Sequence, residues 1–266
     1  MLKQWIALFL LFLSPISFAD EVTLGIGGFY SSIPHYLGAQ QNENYFVPLP
    51  YIHIKKPHYK VERNEFASFL KIAPKHYLSL SAGGAIAVAS NENRAREGMD
   101  DLGWVGEIGP SYQYFSYGNP LSDDYFYVSP FIRKAYAVDN FNFDDIGSVY
   151  GVIVETGKQL YRTKKHDVKL TARVSSRFGS HAYNNYFYQV AEQFQTLERQ
   201  QYDAKAGYLA SIFSVGLTYD NDWLWAGGFV RYYNYSNSAN QHSPLMREHD
   251  NVAFGLGFAW KFYSFK

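Results

Sequence analysis

The chain has no cysteine, and only 3 of its 266 residues are methionine. Without thiols there is no disulfide framework, no thiolate nucleophile and no cysteine-ligated metal. Beyond the amino-terminal segment no run of roughly 18 apolar residues occurs, so the rest of the chain holds no membrane-spanning helix. Charge of neither sign is in excess, with 24 basic and 24 acidic side chains. A polyanion such as nucleic acid is therefore not an implied partner. Also missing are the G-x-S-x-G nucleophile elbow and the H-E-x-x-H metal helix. The glycine-rich pieces Gly25–Gly28 and Ala82–Gly84 lack the lysine and the following helix of a phosphate loop. The histidines are scattered. Ser175 or Ser180 with His181 forms a hydrolytic set only on paper, since no spacing supports it. Asp100, Asp101, Asp123 and Asp124 read as solvated turn ends before they read as a calcium site. The expectation is no catalytic residue, no cofactor and no metal site.

What the chain does have is aromatic side chains. Hydrophobic residues make up 47% and aromatics 19%, with 24 Tyr, 21 Phe and 5 Trp. Aromatics favour strands, and Tyr and Trp collect where hydrocarbon meets lipid headgroups. The final segment shows the pattern most clearly. Val252, Phe254, Leu256, Phe258, Trp260 and Phe262 fall on one face of a period-two alternation, opposite Asn251, Ala253, Gly255, Gly257, Ala259, Lys261 and Tyr263. A strand with one greasy and one small or polar face, long enough to cross a bilayer when tilted, is a barrel stave. Phe254, Leu256, Phe258 and Trp260 are the candidate lipid-facing set.

Similar alternation predicts strands over 22–31, 44–54, 58–71, 76–89, 104–117, 124–137, 147–160, 167–179, 182–189, 203–219, 222–236 and 250–263. The segment 182–189 reads either as a strand or as part of a long loop, and 44–71 can divide in more than one way. The fold expected is all-β: a closed antiparallel transmembrane β-barrel of about 10–12 strands. The first residues carry Lys3, an apolar run from Ile6 to Leu13, and Ser17 and Ala19 before Asp20. They predict a signal peptide over 1–19, with one outer-membrane barrel domain over 20–266. A soluble β-sandwich alternates as well, but it needs neither a signal peptide nor so many Tyr and Trp near segment ends.

Charges inside the strands point to the lumen. Lys169, Arg173 and Arg177 share a face with Thr171 and Ser175, opposite Val168, Leu170, Ala172 and Val174. Each cation set against lipid near the midplane costs about 2–4 kcal/mol, so all three are expected to point inward. Glu107 and Glu155 are the candidate inward carboxylates. Paired with the arginines they plug the interior; hydrated, they line a narrow passage. Sequence alone leaves both open.

Several segments, in order, resemble the MipA/OmpV family, the MltA-interacting outer-membrane proteins of Gram-negative cells. They are Pro34–His35–Tyr36–Leu37–Gly38, Pro48–Leu49–Pro50–Tyr51, the stretch from Arg94 to Pro110, Ala182–Tyr183–Asn184–Asn185–Tyr186–Phe187–Tyr188–Gln189–Val190, and Tyr202–Asp203–Ala204–Lys205–Ala206–Gly207. Two details depart from the pattern: Tyr188–Gln189 stands where the family tends to have Gly, and Phe265 is penultimate. The resemblance implies a non-enzymatic scaffold or structural barrel in the outer membrane. It implies contact with lipid and lipopolysaccharide, and with a periplasmic lytic transglycosylase and a peptidoglycan synthase. Turns 55–58, 90–101, 138–146 and 220–222 are the periplasmic candidates. The alternatives are a small-solute porin or channel, and a surface adhesin acting through loops 32–43, 180–201 and 236–249.

Overall fold

The alternating segments form twelve strands in a computed structural model that describes residues 21–55, 59–62, 65–139 and 142–265. The expected signal peptide over 1–19 and the start of the mature chain at Asp20 lie outside the described residues. The strands are β1 (Glu21–Pro34), β2 (Asn42–Lys55), β3 (Tyr59–Glu62), β4 (Glu65–Ala73), β5 (His76–Ala85), β6 (Trp104–Tyr117), β7 (Tyr125–Asp139), β8 (Asn142–Arg162), β9 (His166–Gly179), β10 (Gly207–Asn221), β11 (Leu224–Asn234) and β12 (Asp250–Phe265). Each pairs antiparallel with its sequence neighbours, and β1 pairs with β12, so the strand order runs round a ring.

The expectation of a closed barrel needs correction, because the wall is not closed over its full height. β1 and β2 share fourteen register pairs. β3 contributes three pairs to β2 and four to β4, and β4 gives four to β5. Among the described residues, the upper part of β2 pairs only with β1, and Leu80–Ala85 pair only with β6. The cause is legible in retrospect. Glu62–Arg63–Asn64–Glu65 is a polar run that a single wall-spanning strand cannot carry, so the stave expected over 58–71 is two short strands. Two other expected strands change as well. The segment 182–189 is a helix, α1 (His181–Tyr188), and 76–89 stops as a strand at Ala85.

Up-and-down order places all connections of one parity at one end. The links after β2, β4, β6, β8 and β10 are short and share an end with both termini of the sheet. Residues 35–41, 86–103, 180–206 and 235–249 form long connections at the other end. Of the turns that stood as alternatives for the periplasmic face, 90–101 and the β7–β8 connection lie at the end opposite 220–222 and the β2–β3 connection, while residues 56–58 and 140–141 lie outside the described residues. Much of 138–146 is in any case strand, belonging to β7 and β8.

The long connections fold over their end as a cap with its own core. Tyr36, Ala95, Leu102, Phe187, Tyr188, Val190, Tyr235 and Leu245 pack together and continue downward onto Val105, Ala135, Val149, Leu209 and Ala253 of the wall. Polar links hold it. Tyr36 Oη donates to the Leu245 carbonyl at 2.8 Å and Tyr188 Oη to that of Leu37 at 2.9 Å. Arg199 Nη1 reaches the carbonyls of Ala95 and Glu97 at 3.0 and 2.9 Å.

Candidate functional site in the barrel lumen

Two ionic clusters and one chamber occupy the lumen. Glu107 on β6 is 2% exposed. Its carboxylate accepts from Arg177 Nη2 on β9 at 2.6 Å, from Arg133 Nη1 on β7 at 3.2 Å and from Tyr183 Oη on α1 at 3.0 Å. Arg133 also donates to Ser81 Oγ through Nε at 3.0 Å and Nη2 at 2.8 Å. One carboxylate thus binds three elements of the barrel to the helix of the cap. Gly83 stands opposite Glu107 in the register, and a Cβ there would collide with the Arg133 guanidinium and the Glu107 carboxylate. The absence of a side chain makes room for this lock.

α1 is set in place by its first turn. Ser180 Oγ accepts from the Tyr183 amide at 3.3 Å as an N-cap and from the Ser148 amide at 3.0 Å. Gly147, at φ +106°, lies under that turn, where a Cβ would meet Ser180 and Tyr183. Tyr183 and Phe187 then fill the lumen against Ala135, Val149 and Leu209. Burial holds the Tyr183 hydroxyl well above its ordinary pKa, so it remains a donor to Glu107.

The second cluster lies four residues down β9. Arg173 pairs with Glu155 of β8 through Nε, and Tyr125 Oη donates to Glu155 at 2.7 Å. Lys169 stands 5.0 Å from the centre of the Tyr125 ring. Below and beside it is a chamber of about 330 Å³, lined by residues from several strands and reaching Pro120 and Ser122 of the β6–β7 turn. Arg231 also lines it, its guanidinium carbon 5.0 Å from the centre of the Phe229 ring.

The structure brings four of the five charged residues named from the sequence into two pairs, Arg177 with Glu107 and Arg173 with Glu155, and sets the fifth, Lys169, against the chamber beside the Tyr125 ring. Phe254, Leu256, Phe258 and Trp260 project outward, 41, 61, 58 and 61% exposed. Arg133 and Arg231 were missed, although period two puts both opposite apolar positions: Pro130 and Ile132 in one strand, Val230 and Tyr232 in the other. Tyr183 gave no signal, since its role depends on a helix read as an ambiguous strand. Among the described residues, no group of three or more His, Asp or Glu is placed to hold a metal ion.

The buried tyrosines of the cap give it a pH dependence. Burial lifts Tyr36 from 10.0 to about 12, against a pull from Arg96 and Arg247, and holds Tyr188 and Tyr235 higher still. The folded cap keeps protons that the unfolded chain releases near pH 10. Its stability is full below that pH and falls as pH rises through the folded values. Near-ultraviolet circular dichroism of the folded barrel should hold to about pH 9.5 and fade between about 10 and 12, ahead of the far-ultraviolet strand signal. Coincident loss of the two signals would show that the cap does not titrate as a separate unit.

A family model described as "MltA-interacting protein MipA" matches residues 24–262. Nothing among curated proteins matches the chain. Among solved structures, it is similar to a "Bacterial polysaccharide outer membrane secretin", at 8% identity and a TM-score of 0.42, covering 93% of this chain and 100% of that one. It is similar to OmpT, an outer membrane protein of Vibrio cholerae, at 9% identity and a TM-score of 0.34, with 94% and 100% covered. The "CymD monoaromatic hydrocarbon channel" matches at 9% identity and a TM-score of 0.35, covering 91% and 89%. At these values the three likenesses carry no argument about what the chain does.

Proposed function

We propose that this chain, which belongs to the MipA family and is an outer-membrane protein, is a small-solute barrel whose passage is held shut by its cap. The observation that carries the reading is the chamber of about 330 Å³ beneath the Glu107 lock. It opens toward the short turns, which in outer-membrane barrels face the periplasm. A polar chamber inside a wall of outward apolar residues suits a solute that must be kept from lipid. The upper lumen is filled by Tyr183 and Phe187, so passage requires that α1 leave its place. Side chains take up the upper lumen, and the chamber below them leaves room for one small solute.

In planar bilayers the native protein is expected to conduct rarely. Tyr183→Ala combined with Phe187→Ala removes the two rings that fill the lumen and should give frequent ohmic steps. The folded state of the variant is verified by the difference between its boiled and unboiled migration in SDS. Folded variant barrels as silent as the native protein would sink the reading.

A second reading rests on the family description itself, which names an interaction with MltA. In this reading the short-turn end docks a periplasmic lytic transglycosylase, and turns 55–58 and 220–222 belong to that end. Purified barrel immobilised in detergent should retain the transglycosylase above an unrelated barrel of similar size. Equal retention would remove this role.

A further inference from the structure

The chamber is lined by charge of both signs. Lys169, Arg173 and Arg231 line it against one carboxylate, Glu155. Arg173, Ser214 and Arg231 stand in direct register across β9, β10 and β11, so two guanidinium groups flank one hydroxyl on the inner face. Glu155 holds Arg173. Arg231 is different. Its polar contact is Nη1 to Tyr233 Oη at 3.4 Å, its other neighbours are the Phe229 and Tyr233 rings, and among the described residues no carboxylate pairs with it. Beside this row lies an apolar shelf. Phe29 and Phe229 stack with ring centres 6.2 Å apart and planes 18° apart, and both line the chamber.

We infer that the chamber binds a small organic carboxylate with a flat apolar body. The inference rests on the small-solute reading and names the solute's class. The carboxylate takes the place between Arg231 and Ser214, where a guanidinium fork offers two parallel N–H donors and the hydroxyl a third. The body lies against Phe229, whose ring edge and face suit a planar partner. A cation in a walled lumen attracts an anion far more strongly than one in open water. A cationic solute of the same shape is rejected, and a neutral one leaves Arg231 without its partner.

The test is calorimetric titration of the full barrel in detergent with three probes: benzoate, benzamide and acetate. Benzoate should saturate one site. Benzamide, which keeps the ring without the charge, and acetate, which keeps the charge without the ring, should each bind at least about tenfold more weakly. Arg231→Gln should weaken benzoate by at least about tenfold, with Arg231→Lys between the two. Phe229→Ala should weaken benzoate while leaving acetate unchanged. Every variant is first shown to be folded by its unboiled migration in SDS, and Arg231→Lys provides a second variant should Arg231→Gln not fold. Benzamide binding equal to benzoate, or affinity indifferent to both Arg231 variants, would overturn the inference. The outcome is separable from conduction. Benzoate recognition lost in Arg231→Gln beside a barrel silent even without Tyr183 and Phe187 leaves the site standing and removes passage. Conduction without benzoate recognition does the reverse.

Discussion

Replacing Glu107 with Gln should destabilise the barrel by about 3–5 kcal/mol, the cost of stranding buried charge. The substitution keeps shape and removes the anion that faces both Arg133 and Arg177. Two guanidinium groups are then left together in a lumen where Glu107 itself has no side-chain exposure. Arg177→Gln should cost less, because Glu107 keeps Arg133. The double variant should cost clearly less than the sum of the two single changes, since the second removes a charge the first has orphaned. The Glu155–Arg173 cycle should show a smaller coupling. Arg173 is 34% exposed at its side chain, so water already shares its solvation. Crossing the clusters, Glu107→Gln with Arg173→Gln should come nearer additivity. Urea unfolding from liposomes, followed by tryptophan fluorescence, measures all three cycles. Additivity within the Glu107–Arg177 cycle would dissolve the lock.

The lock also shows how far the sequence could be read. Alternation over 167–179 put Lys169, Arg173 and Arg177 on one face with no knowledge of their partners, because a strand's two faces are fixed by period two alone. Choosing partners needs register. Arg173 and Glu155 oppose each other directly on neighbouring strands, but Arg177 reaches Glu107 across the lumen from a strand three places away. No local pattern encodes a distance across a barrel. The helix α1 was hidden for a related reason. His181–Tyr188 is a short segment that is aromatic on nearly every side, so neither period dominates, and it is helical because its rings find partners in the cap and the wall. The segments that carry the family resemblance were scattered along the chain. In the fold, Tyr36, Arg96, Leu102, Glu107, Tyr183, Tyr188 and Ala204 meet at the cap and the lock. The strand expected over 58–71 is two, β3 and β4, because the polar run from Glu62 to Glu65 interrupts the alternation, within the region 44–71 whose division the sequence left open.

Leu256→Arg should reduce folding stability in lipid by about 2–4 kcal/mol. Leu256 is 61% exposed on the outer face of β12, flanked in register by Tyr30 of β1 and Gly228 of β11. Its side chain lies over Gly228. An arginine there would have to leave its guanidinium in hydrocarbon or bend along the wall toward a headgroup, and the middle of the strand is the farthest point from either. The cost should fall with depth. Phe262, on the same face and 64% exposed, sits six residues nearer the short-turn end, so Phe262→Arg should cost only about 0–1 kcal/mol. The same side chain at two depths separates the hydrocarbon penalty from any general effect of an added charge. Equilibrium unfolding in vesicles against both variants gives the difference directly. Equal costs at the two positions would mean that the outer face of β12 does not cross a hydrocarbon layer at Leu256, and the greasy alternation that first marked this strand would then need a protein partner to cover it.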